Sequence, residues 1–254
     1  MFRLLIITQD EPFYLYSNLE YLLENIPSGS KVIGCVVSEP SPFGKKENFF
    51  QKTAKTYKIF GGVFFLYYSG KFIYNRLCKP RIKQLLKKNN IPVIELAGSI
   101  NSKFNLEIIK KHKPDLLISI LGNQIFKKPL IDLAPSGCIN LHTALLPKYR
   151  GLMPSFWVLK NKETHTGVTV FFVDEGIDSG PIIIQEKIEI GSMTQEDLIS
   201  KSKKLGMDCI LKAIQSIIKG DVVLKPNQDE LASYYSFPTK QDVEDFVKSG
   251  KRFF

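Results

Sequence analysis

The chain has 254 residues, 44% of them apolar and 24% charged, with four cysteines. That balance excludes a disordered chain, a collagen-like repeat and a disulfide scaffold, and the length allows one large domain or a domain with an appendage. Lysine and arginine outnumber aspartate and glutamate by 35 to 25, which favours anionic partners without choosing among nucleic acid, phosphorylated metabolites and an acidic membrane surface.

Residues 2–8 read as a buried strand. The run ends in Gln9 and Asp10, too early for an export leader, so a cytoplasmic protein is expected. Leu19, Leu22 and Leu23 then recur at helical spacing, and residues 31–38 form a second apolar strand. A long insertion follows, at about 39–90, rich in Lys, Tyr and Phe. Its stretch 71–88 has no acidic residue and carries Arg76, Lys79, Arg81, Lys83, Lys87 and Lys88. This reads either as a solvated helical face or as a basic rim for a phosphate-bearing substrate. The apolar run 59–68 is about half of the ~20 residues that a membrane span needs. No membrane partner is therefore expected, an interfacial helix being the lesser reading.

Short strands are expected at 92–96, 115–120 and 138–142, with a helix over 105–112 before the second of them. Strands at 166–173 and 182–190 lie too close together for a crossover helix and should pair antiparallel. The alternation predicts an α/β fold, a mostly parallel sheet with flanking helices. Beyond 190 a long helix is expected, with Thr194 as N-cap, Asp197 three residues on and Gly220 as its stop. A tail with a short helix capped by Thr239 follows. Residues 1–190 thus form the expected main domain, and 191–254 a C-terminal helical extension packed on it.

The informative chemistry lies between Gly137 and Pro181. Asn140 and His142 stand at i and i+2 on one strand and should project to the same side of its carboxyl end. In a parallel α/β sheet that end is where ligands bind. The loop Leu145-Leu146-Pro147-Lys148-Tyr149-Arg150-Gly151 must turn sharply. A second loop, Asp174-Glu175-Gly176-Ile177-Asp178-Ser179-Gly180-Pro181, is rich in glycine and acids. An Asn, a His and an Asp aimed at one point suit acyl transfer to an amine. The amide and a protonated imidazole can stabilise the developing oxyanion, and the carboxylate can hold the His cationic or relay the amine's proton. A bland alternative is a structural His142 satisfied by a backbone carbonyl. His112, His165 and the scattered Cys35, Cys78, Cys138 and Cys209 make no metal set, so no metal is expected.

The pattern Asn-x-His, then Thr-x-Leu-Leu-Pro-x-x-Arg-Gly, then Val-Asp-x-Gly-Ile-Asp-x-Gly-Pro resembles the folate-dependent formyltransferases, with good cover over 115–189. The resemblance implies a Rossmann-like formyltransferase fold, 10-formyltetrahydrofolate as co-substrate, and Asn140, His142 and Asp178 as catalytic residues. It implies a folate-binding loop at Gly122, Asn123, Gln124, Ile125 and Phe126, with the far wall at Val173, Asp174, Glu175 and Gly176. Asp174 could equally shape its loop. Phe171 stands where many relatives have a His, and altered pocket packing is expected.

Among these relatives, glycinamide ribonucleotide transformylase holds its substrate's phosphate on a Gly/Ser-rich first turn. Here that turn is Thr8-Gln9-Asp10-Glu11-Pro12, a poor phosphate cradle. Methionyl-tRNA formyltransferase carries a C-terminal β-barrel, for which little room is left after 190. The expected acceptor is thus a small-molecule amine, a nucleotide-linked amino sugar. Methionyl-tRNA and glycinamide ribonucleotide are the alternatives, with tRNA the nucleic-acid partner if there is one and a homodimer allowed. A folate- or RNA-binding module without catalysis is the non-enzymatic alternative.

Overall fold

The computed structural model describes residues 1–40, 48–122 and 124–254. Asn123 and the insertion's residues 41–47 lie outside them. Five strands run parallel: β1 (Phe2–Gln9), β2 (Ser30–Ser38), β3 (Val93–Ile94), β4 (Leu116–Ser119) and β5 (Cys138–His142). A short strand, β6 (Arg150–Gly151), follows outside this sheet. Then β7 (His165–Phe172) and β8 (Ile182–Glu189) extend the sheet antiparallel, giving the order β3-β2-β1-β4-β5-β7-β8. This is the expected mostly parallel sheet with its antiparallel side.

Successive strand side chains point to opposite faces. Leu4 and Ile6 therefore enter one core with Leu116, Ile118 and Ile139. Leu5 and Ile7 enter the other with Val36, Leu117 and Cys138. Strands covered on both faces have no polar side, which is why they read as continuous apolar runs.

The first core is closed by α1 (Leu15–Glu24), through Leu15, Leu19 and Leu22, and by later helices of the chain. The insertion forms α2 (Phe49–Cys78), broken at Gly61 by φ 81° and ψ 175°, a conformation open to glycine. Its basic stretch does not continue as one helix. The chain is extended at Lys79 and Arg81 and restarts as α3 (Ile82–Lys88). Then come α4 (Lys103–Lys111), α5 (Lys128–Ile131) and α6 (Pro154–Lys160).

The long helix α7 (Gln195–Lys219) begins in a full capping box between Thr194 and Asp197 and ends at Gly220 with φ 71°. Gly206 lets it lie against β5, since a Cβ there would come within 2.5 Å of Leu141. Past α7, β9 (Tyr234–Tyr235) pairs parallel with β6, and α8 (Lys240–Lys248) starts at the expected Thr239 cap.

Candidate active site

At the carboxyl end of β5, Asn140 pairs with Ser119 of β4 and Phe171 of β7, and His142 pairs with Thr169 of β7. Asn140 is half-buried, and its amide has no protein hydrogen-bond partner among the described residues. His142 is buried. Its Nε2 lies 2.7 Å from the Tyr149 carbonyl, an acceptor only, so Nε2 carries the proton and donates. Its Nδ1 faces Asp178 Oδ2 at 3.4 Å. His142 thus meets a backbone carbonyl, as the structural reading anticipates, and also faces a carboxylate.

Two loops deliver these partners. The loop after β5 is tied down by Thr169, whose hydroxyl donates to Ala144 O at 2.6 Å and accepts from Leu146 N at 3.2 Å. Gln185 of β8 donates to Leu146 O at 2.7 Å. The acid-rich loop after β7 folds around Asp174, whose carboxylate accepts from Gly176 N and from the Ser179 hydroxyl. Asp174 therefore shapes the loop, and Asp178 is the acid brought to His142. Gly180 permits the closure, because a Cβ would come within 1.8 Å of Phe172 O. Phe171 is buried with Leu146 and Ile182 beside Asn140.

A clamp absent from the sequence reading locks the two loops together. Gly151 N donates to Asp178 Oδ2 at 2.8 Å. Asn227, from the segment after α7, donates to the carbonyls of Asp178 and Gly180, each at 2.9 Å. The fully buried Arg150 donates through Nη2 to Asn227 and through Nη1 to Asp229 and Tyr234. Burial works against its charge, but Asp229 and Tyr234 more than offset that and raise its pKa. The only local signal was the Arg-Gly pair, since its partners lie 77 to 84 residues away.

The expected folate loop follows β4. Gly122 and Ile125 are exposed at its surface, Phe126 is buried in the second core, and Gln124 accepts from Ile100 N at 2.9 Å. Asn101 holds the loop by donating to Ile125 O and accepting from Lys127 N. Across the strand ends, Glu175 and Gly176 are exposed, while Val173 and Asp174 are half-buried. Among the described residues no group of three or more His, Cys, Asp or Glu could hold a metal ion.

The first turn supplies its own anion. Glu11 accepts from the backbone N–H of Phe13, Tyr14 and Leu15 at 2.9–3.0 Å, filling the start of α1. Lys203 of α7 lies 4.0 Å from the same carboxylate.

A family model described as formyl transferase matches residues 78–214. The methionyl-tRNA formyltransferase of Kosmotoga olearia is 37% identical over 169 residues, 66% of this chain and 54% of that protein. That of Syntrophus aciditrophicus is 36% identical over 168 residues, with the same coverage. The chain thus spans about half the length of the curated relatives it matches. Among solved structures, an N-formyltransferase from Helicobacter canadensis, in complex with folinic acid and dTDP-3-aminofucose, superposes with a TM-score of 0.61. It is 21% identical and covers 98% of this chain and 80% of its own. A phosphoribosylglycinamide formyltransferase from Anaplasma phagocytophilum gives a TM-score of 0.64 at 18% identity, covering 92% of this chain and 99% of its own. With the family match extending over more than half of the residues and the fold shared along nearly all of them, the chain belongs to the formyl transferase family.

Proposed function

We propose that the chain transfers a formyl group from 10-formyltetrahydrofolate to a primary amine. The observation that carries this reading is His142, held between the Tyr149 carbonyl and the Asp178 carboxylate, two residues along β5 from Asn140, whose amide has no partner among the described residues. The neutral amine attacks the formyl carbon, and a C–N bond forms as the carbonyl electrons move to oxygen. Asn140 Nδ2 and a protonated His142 Nδ1 donate to that oxyanion. The 3.4 Å gap between Nδ1 and Asp178 is longer than a good hydrogen bond, so Nδ1 is available to a reacting oxygen. Asp178, held by Gly151 N, takes a proton from the attacking nitrogen directly or through water. The C–N10 bond then breaks, N10 receives the proton, and a formamide and tetrahydrofolate leave. The exposed backbone of Gly176 and the side chain of Ile125 offer the folate a polar edge and an apolar face.

For the acceptor, the curated sequence relatives favour methionyl-tRNA, the reading expected above as an alternative. The nucleotide-linked amino sugar has its support in coverage. The Helicobacter canadensis enzyme, with its bound dTDP-3-aminofucose, follows the fold over 98% of the chain, including the segment after α7 that clamps the Asp178 loop. Glycinamide ribonucleotide is disfavoured, because Glu11 already fills the start of α1 with a carboxylate. The test offers methionyl-tRNA, a dTDP-linked amino sugar and glycinamide ribonucleotide separately with 10-formyltetrahydrofolate. Tetrahydrofolate release is followed by absorbance and the formamide by mass spectrometry. Release with one of the first two identifies the acceptor, and release with none of the three counts against the reading.

A further inference from the structure

We propose that the outward face of α2 is a peripheral docking surface for an anionic phospholipid membrane. The inward face of this helix is already used. Phe60, Phe64 and Tyr68 stack in series, Phe253 packs on the first two, Lys71 pairs with Glu196, and Asn75 is buried. The opposite face, between the Gly61 break and the helix end, is exposed and still apolar. Val63 is 76%, Leu66 72%, Ile73 56% and Leu77 79% exposed, with Tyr67 and Tyr74 beside them. A helix apolar all round is normally covered on every side. At 1.5 Å per residue this stripe is about 20 Å long. A continuous apolar stripe of that length, with no charge along its ridge, is the kind of exposed patch that marks an interaction site.

The charge around it selects the occupant. From residue 48 to residue 94 the chain has no Asp or Glu and ten Lys or Arg. Lys58 before the break, and Lys79 and Arg81 past the helix end, are exposed and hold no ion pair among the described residues. An apolar stripe with cations at both ends fits an acidic lipid surface, where the aliphatic side chains enter the acyl boundary and the cations meet headgroups. Tyr57 and Tyr74, amphipathic and exposed, suit the same depth. A second copy fits less well. Between residues 48 and 94 a second copy would offer no acidic side chain to meet these cations. Nucleic acid fits less well too, because Tyr57 and Tyr74 could stack on bases but the four aliphatic side chains Val63, Leu66, Ile73 and Leu77 would gain no partner from them. Among the described residues no helix is long and apolar enough to cross a membrane, so the contact is a peripheral one. Arg76 pairs with Asp10 just past β1, which sets this face beside the ligand-binding edge of the sheet.

The test is flotation of the full chain with phosphatidylcholine vesicles, and with phosphatidylcholine–phosphatidylglycerol vesicles. The protein should float with the mixed vesicles, weaken with added salt and stay unbound to the neutral ones. The double variant Leu66→Glu, Ile73→Glu should lose about tenfold or more of that binding, with its thermal midpoint unchanged in the absence of lipid. Failure of the wild-type protein to float with mixed vesicles overturns the proposal, as does a double variant that floats as well as wild type. A variant that separates a dimer into monomers, or loses tRNA binding, while neither protein floats overturns it in favour of a second copy or a nucleic acid.

Discussion

The loops around His142 and the helix α2 are built by opposite means. Around His142, side chains hold backbone: Thr169, Gln185, Asp174, Asp178 and Asn227 each bind one or more loop groups. Such contacts are directional, and they fix where a carboxylate points to within a fraction of an ångström. Helix α2 is held mainly by rings, with Phe60, Phe64 and Tyr68 in a stack, Phe253 edge-on against the first two, and Tyr67 stacked on Phe254. Ring packing gives adhesion with much less orientational demand. The first kind of construction suits chemistry, and the second suits a surface that has only to present an apolar face.

That contrast can be broken at its strongest point. Asn140 is half-buried and its side chain binds no described residue, so Asn140→Ala should leave the thermal midpoint nearly unchanged. Turnover should nevertheless fall by about 10²–10³-fold, the loss typical of a missing oxyanion donor. Steady-state kinetics beside a thermal melt checks both halves. One step out, Asn227→Ala removes two hydrogen bonds to the Asp178 loop. It should cost about 1–2 kcal/mol of stability and lower kcat about tenfold through a misplaced Asp178, with KM for folate little changed. A raised folate KM with kcat unchanged would assign Asn227 to folate binding instead.

A smaller effect is expected at the start of α7, away from the site. The backbone N–H and then the hydroxyl of Thr194 hold the Asp197 carboxyl below the usual carboxylate range. Its folded pKa lies below its unfolded one, so its stabilisation is present above the ordinary carboxylate range and is lost as pH falls through the depressed value. Asp197→Asn should therefore lower the thermal midpoint at neutral pH, by an amount corresponding to about 0.5 kcal/mol or less for so exposed a carboxylate. The difference from wild type should close only as the pH falls through that depressed value, below the ordinary aspartate pKa. Melts across that range test the sign. Least of all, Leu66→Glu should shift stability by under about 0.5 kcal/mol without lipid, as expected for an exposed position. A large loss would mean that the outward face of α2 is covered after all.

Much of this architecture is legible in the residues. The apolar runs of β1, β2, β4 and β5 need only both-sided burial, and Thr194, Gly220 and Thr239 mark helix ends by local chemistry. His142 and Asp178 meet across two short loops, and Asn140 stands two residues before His142 on the same strand, as alternation requires. What escaped was non-local. Arg150 looks like a loop cation in sequence, yet it is fully buried among Asn227, Asp229 and Tyr234, and the β6–β9 pairing joins segments that carry no strand pattern. The break in α2 did have a local signal, the Gly61-Gly62 pair inside an otherwise helical run. Glu11 was legible as an acid in an unlikely phosphate cradle, but its capping of α1 depends on a turn geometry that spacing alone does not dictate.

On the mechanism proposed above, His142 stabilises the oxyanion of a formyl transfer, and the decisive measurement is tetrahydrofolate release from 10-formyltetrahydrofolate, with the best acceptor amine, by wild type and His142→Ala. Release is expected only when the amine is present, with about 10²–10³-fold slower turnover in the variant and a folate KM within about twofold of wild type, since the group acts on the transition state. A folded His142→Ala protein that keeps most of its turnover would contradict that mechanism.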